Sequence, residues 1–214
     1  MNAREAMLAN IRFALKDQAP PTPAAPAYRH AGDMSPEARR DRFLERLDDY
    51  NVHITRLASE AEIPAAVVAR LSASGATRYL APADLPVAWR PEDVEALDDG
   101  DAAPLPHATL NAIPSVLTGC ALAIAETGTV VLDGGSRQGR RALTLLPDHH
   151  ICVVFETQLV EIVPQALQAL KAAVQAGQPL TFFSGPSATA DIEFERVVGV
   201  HGPRRLDVLF IQGA

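Results

Sequence analysis

ALAIAETGTVVLDGGSRQGRR, residues 121–141, carries two short apolar runs, Ala121–Ala125 and Thr129–Leu132, on either side of Glu126-Thr127-Gly128. Apolar runs of this length broken at glycine read as buried β-strands meeting at turns. The next residues, Gly134–Arg141, gather glycines, a serine, a glutamine and three arginines. Glycine lets backbone N–H groups approach a ligand, and the arginine fork matches a carboxylate or phosphate. In a chain of net charge -7, such a basic loop predicts a small anionic ligand. Gly135, Ser136, Arg137, Gln138, Arg140 and Arg141 are its candidate contacts, with Thr127 and Gly128 beside them.

Working outward, periodicity alternates between strand and helix. Ser35-Pro36 opens a helix with Phe43, Leu44, Leu47 and Tyr50 on its apolar face, and Val52–Leu57 alternates like a strand. Pro64 starts a helix that carries Val67, Val68 and Leu71 and stops at Gly75, before a short strand at Arg78–Ala81. Beyond the glycine/arginine loop, His150–Phe155 reads as a continuous apolar strand. Pro164 to Gly177 reads as a helix with Leu167, Leu170 and Val174 on one face; Leu180–Phe183 and Leu206–Ile211 are further strands. This rhythm predicts an α/β fold, a three-layer, mostly parallel sheet with helices on both faces, over residues 35–214. Residues 1–34 form an N-terminal helical arm: a helix over 2–17 with Asn2 and Glu5 as its capping pair and Leu8, Ile11 and Leu15 as its stripe, then the extended linker APPTPAAP at 19–26. Such a helix cannot bury its stripe alone, which points to docking on the main domain, a second copy or a partner.

Composition narrows the function. A chain of 214 residues can bury a sizeable core. The acidic balance, with an isoelectric point near 5.3, argues against nonspecific binding to nucleic acid or anionic membrane. Cys120 and Cys152 lie in apolar runs and read as buried, inert thiols; two cysteines make neither a disulfide framework nor a cluster site. Charged residues interrupt the N-terminal segment, and no apolar run spans a bilayer, so a cytoplasmic protein without a metal site is expected. The acidic stretch over 84–101 reads as a solvated surface without calcium-loop spacing.

A second candidate site is Ser184–Asp191, SGPSATAD. A strand feeding a Gly-Pro turn and then small hydroxyl residues presents free N–H groups if a helix starts there. Ser184, Gly185, Ser187 and Thr189 are the anion contacts on this reading; on the other, Ser187 or Thr189 merely caps the helix. Both loops are expected at the carboxyl ends of strands, where sheets of this class hold ligands. Glu126 is either a general base or nucleophile tuned by partial burial, or a structural partner of Arg137, Arg140 or Arg141. Asp191, next to the second loop, is a further catalytic candidate. The neighbours His149 and His150 point oppositely on an extended chain and make a poor metal pair. His201, beside Gly202-Pro203, either reaches the ligand or sits at a surface turn.

These residues are also familiar. A-E-T-G-T at 125–129, S-G-P-S-x-T-A-D-I-E at 184–193 and V-x-G-V-H-G-P-x-R at 197–205 resemble the lactate-utilization protein C family, the LUD-domain proteins, over about residues 36–212. The resemblance implies a fold similar to the sugar-phosphate isomerase, glucosamine-phosphate deaminase and CoA-transferase superfamily. It implies a subunit of a bacterial system oxidising L-lactate to pyruvate, beside two iron–sulfur partner proteins. With two cysteines this chain should hold no cluster or other cofactor itself. By analogy with CoA transferases, Glu126 falls where those enzymes use a glutamate. Three functions stay open: a lactate-oxidation subunit binding a small carboxylate or phosphate, a free-standing isomerase or acyl/CoA-transfer enzyme, and a non-catalytic anion-binding regulatory module.

Overall fold

The computed structural model describes residues 2–16, 28–190, 196–199 and 202–213. Helix α1 (Ala3–Leu15) leads, followed by α2 (Pro36–Asp49), β1 (His53–Leu57), α3 (Ile63–Ser74), β2 (Arg78–Pro82) and β3 (Glu95–Asp99). Next come α4 (His107–Ala112), β4 (Ser115–Thr118), β5 (Leu122–Ile124), β6 (Thr129–Leu132), α5 (Arg141–Leu145) and β7 (His149–Phe155). The chain closes with β8 (Leu159–Val160), α6 (Val163–Ala169), α7 (Lys171–Gln175), β9 (Thr181–Phe183), β10 (Ala188–Ala190), β11 (Arg196–Val198) and β12 (Arg205–Ile211). Among the described residues, no helix is long and apolar enough to cross a membrane.

Six strands form one parallel sheet in the order β1-β12-β7-β4-β2-β3. Its central strand β7 is continuously apolar because both of its faces are covered. Ile151 and Val153 join Ile63, Val67 and Leu71 of α3, with Trp89, on one side. Cys152 and Val154 face the other side, against Phe43, Leu44 and Leu47 of α2. Helices α4 and α5 extend that second side, packing Leu110 and Leu143 on Leu80 and Val116. The α/β architecture with helices on both faces is thus the expected one.

The Ala121–Leu132 strands do not join this sheet. They pair antiparallel in a separate four-stranded sheet, β8-β5-β6-β9. Ala123, Ala125, Val130 and Leu132 point into the core against Val208 and Phe210. Leu122, Ile124 and Val131 are sealed from behind by Ala166 and Leu170. Two buried faces account for strands that look uniformly apolar.

Several local expectations need correction. The predicted Pro164–Gly177 helix is two helices broken at Leu170; Ala166 and Leu170 turn inward, whereas Leu167 and Val174 are half exposed. The acidic stretch contributes an edge strand, β3, whose Asp99 is buried. No helix starts directly after Ser187: Ala188–Ala190 form a strand paired with Arg196–Val198. The linker at 19–26 lies outside the described residues. By contrast, the Asn2–Glu5 capping pair forms, at 2.9 and 3.0 Å, and Gly75 ends α3 at a φ of 71° that glycine tolerates. Helix α1 buries none of its residues.

At the amino ends of the central strands lies a closed polar network. The ring of His149 shares hydrogen bonds with Ser115 Oγ (3.0 Å) and Asp207 Oδ2 (3.0 Å), and Arg205 donates to both oxygens of Asp207 at 3.1 Å. Ser115 and Asp207 are fully buried. Burial pushes the Asp207 carboxyl up, but hydrogen bonds from His149 and Arg205 more than offset this and hold it below the usual range. Its contribution to stability is therefore complete above the unfolded-state value of about 4 and lost as pH falls through the lower folded value. Asp207→Asn should cost about 3 kcal/mol at neutral pH, since it strands Arg205 without a counter-charge. Urea unfolding at neutral pH and along an acid series checks both: the wild-type advantage should vanish in acid.

Candidate functional site

The Gly134–Arg141 loop satisfies its own polar groups. Gln138 is buried, and its Oε1 accepts from the N–H groups of Asp133 (2.8 Å) and Gly134 (3.2 Å), while Nε2 donates to Asp133 Oδ1 at 2.8 Å. The N–H of Gly135 goes to Asp133 Oδ1 and that of Arg137 to Asp84 Oδ2. Arg137 holds a positive φ of 65°, and its guanidinium lies 5.4 Å from the Trp89 ring centre. Arg140 forms a two-pronged pair with buried Asp99, at 2.8 and 3.0 Å, and donates to the Leu105 carbonyl. Asp133 of the loop itself takes the donors of Gly135 and Gln138, while Asp84 and Asp99 of the acidic stretch take the Arg137 N–H and the Arg140 guanidinium.

Arg141, at the start of α5, differs. It is exposed, and among the described residues no ion pair holds it. It lines a cleft of about 390 Å³ together with Tyr50, Thr144, His150, Phe183 and Ser184–Ser187. That volume falls within the range of small-molecule sites. A second cleft, of about 540 Å³, takes Gly134, Gly135, Ser136, Gly139 and Arg140, along with Asp84, Asp99, Asp101 and Asp133. Four carboxylates make the second cleft a poor host for an anion.

The two loops therefore do not converge as expected. Strands β6 and β9 run antiparallel, with Leu132 opposite Thr181 and Val130 opposite Phe183, so their following loops leave opposite ends of the pair. Arg141 alone of the arginines lines both clefts. The 390 Å³ cleft also lies beside the amino ends of β7 and β12, at His150 and Leu206, not at carboxyl ends.

At the edge of this cleft, where Ser184 lines it, the two sequence motifs do meet. Thr129 Oγ1 lies 2.7 Å from both Thr127 Oγ1 and Ser184 Oγ, a hydroxyl chain linking A-E-T-G-T to S-G-P-S. Gly128 turns with a φ of 60°, where a Cβ would strike Arg46 of α2. Gly185 also passes close to Tyr50, which a Cβ there would meet at 2.9 Å, and the Ser187 N–H donates to the Pro203 carbonyl. His150, buried at the floor, sits 2.8 Å from Thr118 Oγ1 and packs its ring on Phe183. Sequence reasoning set His150 aside as half of an unsuitable metal pair, and overlooked Tyr50 and Thr144. Strand alternation shows only that His149 and His150 diverge; what each faces depends on the second sheet. Asp191 and His201 lie outside the described residues.

Glu126 pairs with none of the loop arginines. Arg29, from the segment preceding α2, reaches it at 2.8 Å and also lies 3.4 Å from buried Glu161. Glu161 in turn accepts from the Met34 N–H, and its side chain closes on Gly32, where no Cβ fits. The lining of neither cleft includes Glu126.

Residues 107–211 match the LUD domain. The chain is 44% identical over 209 residues to lactate utilization protein C of Deinococcus radiodurans, spanning 98% of this chain and 95% of that protein. It is 40% identical over 93 residues to lactate utilization protein C of Halalkalibacterium halodurans, or 42% of this chain and 40% of that one. A crystal structure of a duf162 family protein from Deinococcus radiodurans is similar with a TM-score of 0.70 at 40% identity, covering 85% of this chain and 100% of that one.

The Arg29–Glu126 pair is half exposed on both sides. Glu126→Gln should therefore cost less than about 1 kcal/mol, and the loss should disappear in high salt. Denaturant titrations at low and high ionic strength measure it.

Proposed function

The chain belongs to the LUD-domain family, and we propose that it serves lactate utilization as a subunit of an L-lactate-oxidising system. In this reading it binds a small carboxylate in the Arg141 cleft while iron–sulfur partner proteins carry the electrons. The lactate utilization protein C named in Deinococcus radiodurans, matched along nearly its whole length, supports the biological role. The observation that carries the ligand class is Arg141: an exposed guanidinium without an ion pair among the described residues, at a cleft also lined by Ser184, Tyr50 and His150. A carboxylate would take the guanidinium fork, and a lactate-type hydroxyl would extend the Thr127–Thr129–Ser184 chain. Oxidising lactate to pyruvate removes two electrons. Two buried cysteines do not fit the four-thiolate ligation of common clusters, so that task falls to partners.

The partner contact is assigned to α1. Met7, Ile11, Phe13 and Leu15 are all at least 48% exposed on this helix, which leaves an apolar surface for another protein to cover.

Two measurements test this reading. In thermal-shift titrations with L-lactate, pyruvate and inorganic phosphate, a carboxylate should raise the melting temperature of the wild type. Arg141→Gln should weaken that binding by about tenfold or more, the value of one charged hydrogen-bond pair, with the ligand-free melting temperature unchanged. A response to phosphate alone, or one indifferent to Arg141, would overturn the carboxylate assignment. Removing residues 1–16, which spares the Arg29 contacts, should abolish co-purification with co-expressed iron–sulfur partners; unchanged assembly would exclude α1 as the contact.

A further inference from the structure

Cys120 and Cys152 are far apart in sequence and come together through the parallel sheet. Register places Thr118 of β4 opposite Cys152 of β7, and Cys120 follows two residues beyond Thr118. Both thiols are free and buried in the core beneath the small sheet. Their surroundings are not uniformly apolar. Cys120 Sγ lies 3.4 Å from Gln158 Oε1, Cys152 Sγ 3.6 Å from the Gly119 carbonyl, and Thr118 Oγ1 reaches both that carbonyl and the His150 ring at 2.8 Å. His150 shares a face of β7 with Cys152, two residues away. Cys120, although only 3% exposed, lines an opening of about 310 Å³ with Ser136, Arg137 and Gln158. An inert core cysteine packs among apolar atoms; a reactive one sits beside hydrogen-bonding groups and a base.

We propose that Cys120 and Cys152 are a redox-active dithiol, which a small hydroperoxide entering past Ser136 and Arg137 converts to an intramolecular disulfide. The Cys152 sulfur lies 3.6 Å from the carbonyl of Gly119, the residue next to Cys120, and both thiols belong to one core cluster. Hydrogen bonding to Cys152 and burial push the Cys120 thiol up; burial also pushes Cys152 up, but hydrogen bonds from Cys120 and His150 bring it below the usual thiol range. Cys152 therefore ionises before Cys120.

The chemistry balances. As Cys120 attacks the terminal peroxide oxygen, its proton passes to the Cys152 thiolate. The O–O bond breaks, and the departing oxygen takes from water the proton that Cys152 released on ionising, leaving as water or an alcohol. Cys120 is then a sulfenic acid. Cys152 attacks the Cys120 sulfur; the S–O bond breaks and the departing oxygen takes the Cys152 proton, leaving as water. Two thiols and one hydroperoxide yield one disulfide, one water and one further water or alcohol.

The test treats the full-length protein with one equivalent of hydrogen peroxide and follows intact mass and thiol content after denaturation. The expected result is a monomer lighter by two hydrogen atoms, with no thiol left for alkylation and both restored by dithiothreitol. Peptide mapping should join Cys120 to Cys152. A mass gain of oxygen atoms, two thiols still reactive, or a disulfide-linked dimer would each overturn the proposal. The reaction should slow as pH falls and the Cys152 thiolate is protonated. His150→Gln should slow it while reaching the same endpoint; an unchanged rate would remove His150 from the mechanism. These readouts need no lactate and no partner, so they stand apart from the proposed function.

Discussion

The second face of the parallel sheet is closed by another sheet as well as by helices, and most of what is distinctive here depends on that closure. Val208 and Phe210 of β12 and Cys152 and Val154 of β7 meet Ala123, Ala125, Val130 and Leu132 from the β5–β6 pair. That contact excludes water along the seam, so every polar group caught in it needs a partner. Thr118, His150, Gln158 and the two thiols supply partners for one another there. The 390 Å³ cleft lies beside the same seam, with His150 at its floor and Phe183 of β9 against the ring.

Electrostatics then sorts the arginines. Arg140 meets Asp99, whose side chain is 1% exposed, and becomes part of the frame; a charge buried that deeply is costly unless paired. Arg137 is spent on the Trp89 ring, and Arg29 crosses from the segment before α2 to clamp Glu126 and Glu161. Arg141, at the start of α5, stands between the two clefts, and among the described residues no carboxylate pairs with it. A loop that looks basic in sequence is, in space, held by its neighbours at Arg137 and Arg140, and Arg141 is the cation it presents to the 390 Å³ cleft.

Much of the fold was legible. The β7 and β12 runs, the Pro-led starts of α2 and α3 and the glycine stop of α3 rest on local rules of side-chain alternation and capping. The β10–β11 hairpin was not, because SGPSATAD fits a capped helix start as well as a turn into a strand. Nor was the break at Leu170, which is set by what Leu170 packs against beneath the small sheet. The candidate site was half legible. Ser184, Thr127 and Arg141 carry polar groups in telling places, whereas Tyr50, Thr144 and His150 join them only through long-range packing.

By itself, the sequence determined that this chain is an α/β protein, where most of its principal strands and helices lie, and that three motifs set it among LUD-domain proteins. Those properties follow from short-range periodicity and residue chemistry. Tertiary structure decided which strands share a sheet, which cation of the loop faces the 390 Å³ cleft, and that two thiols separated by two strands and a helix share one core cluster. Pairing and burial depend on neighbours that no local window contains, and only strand register brings them within reach.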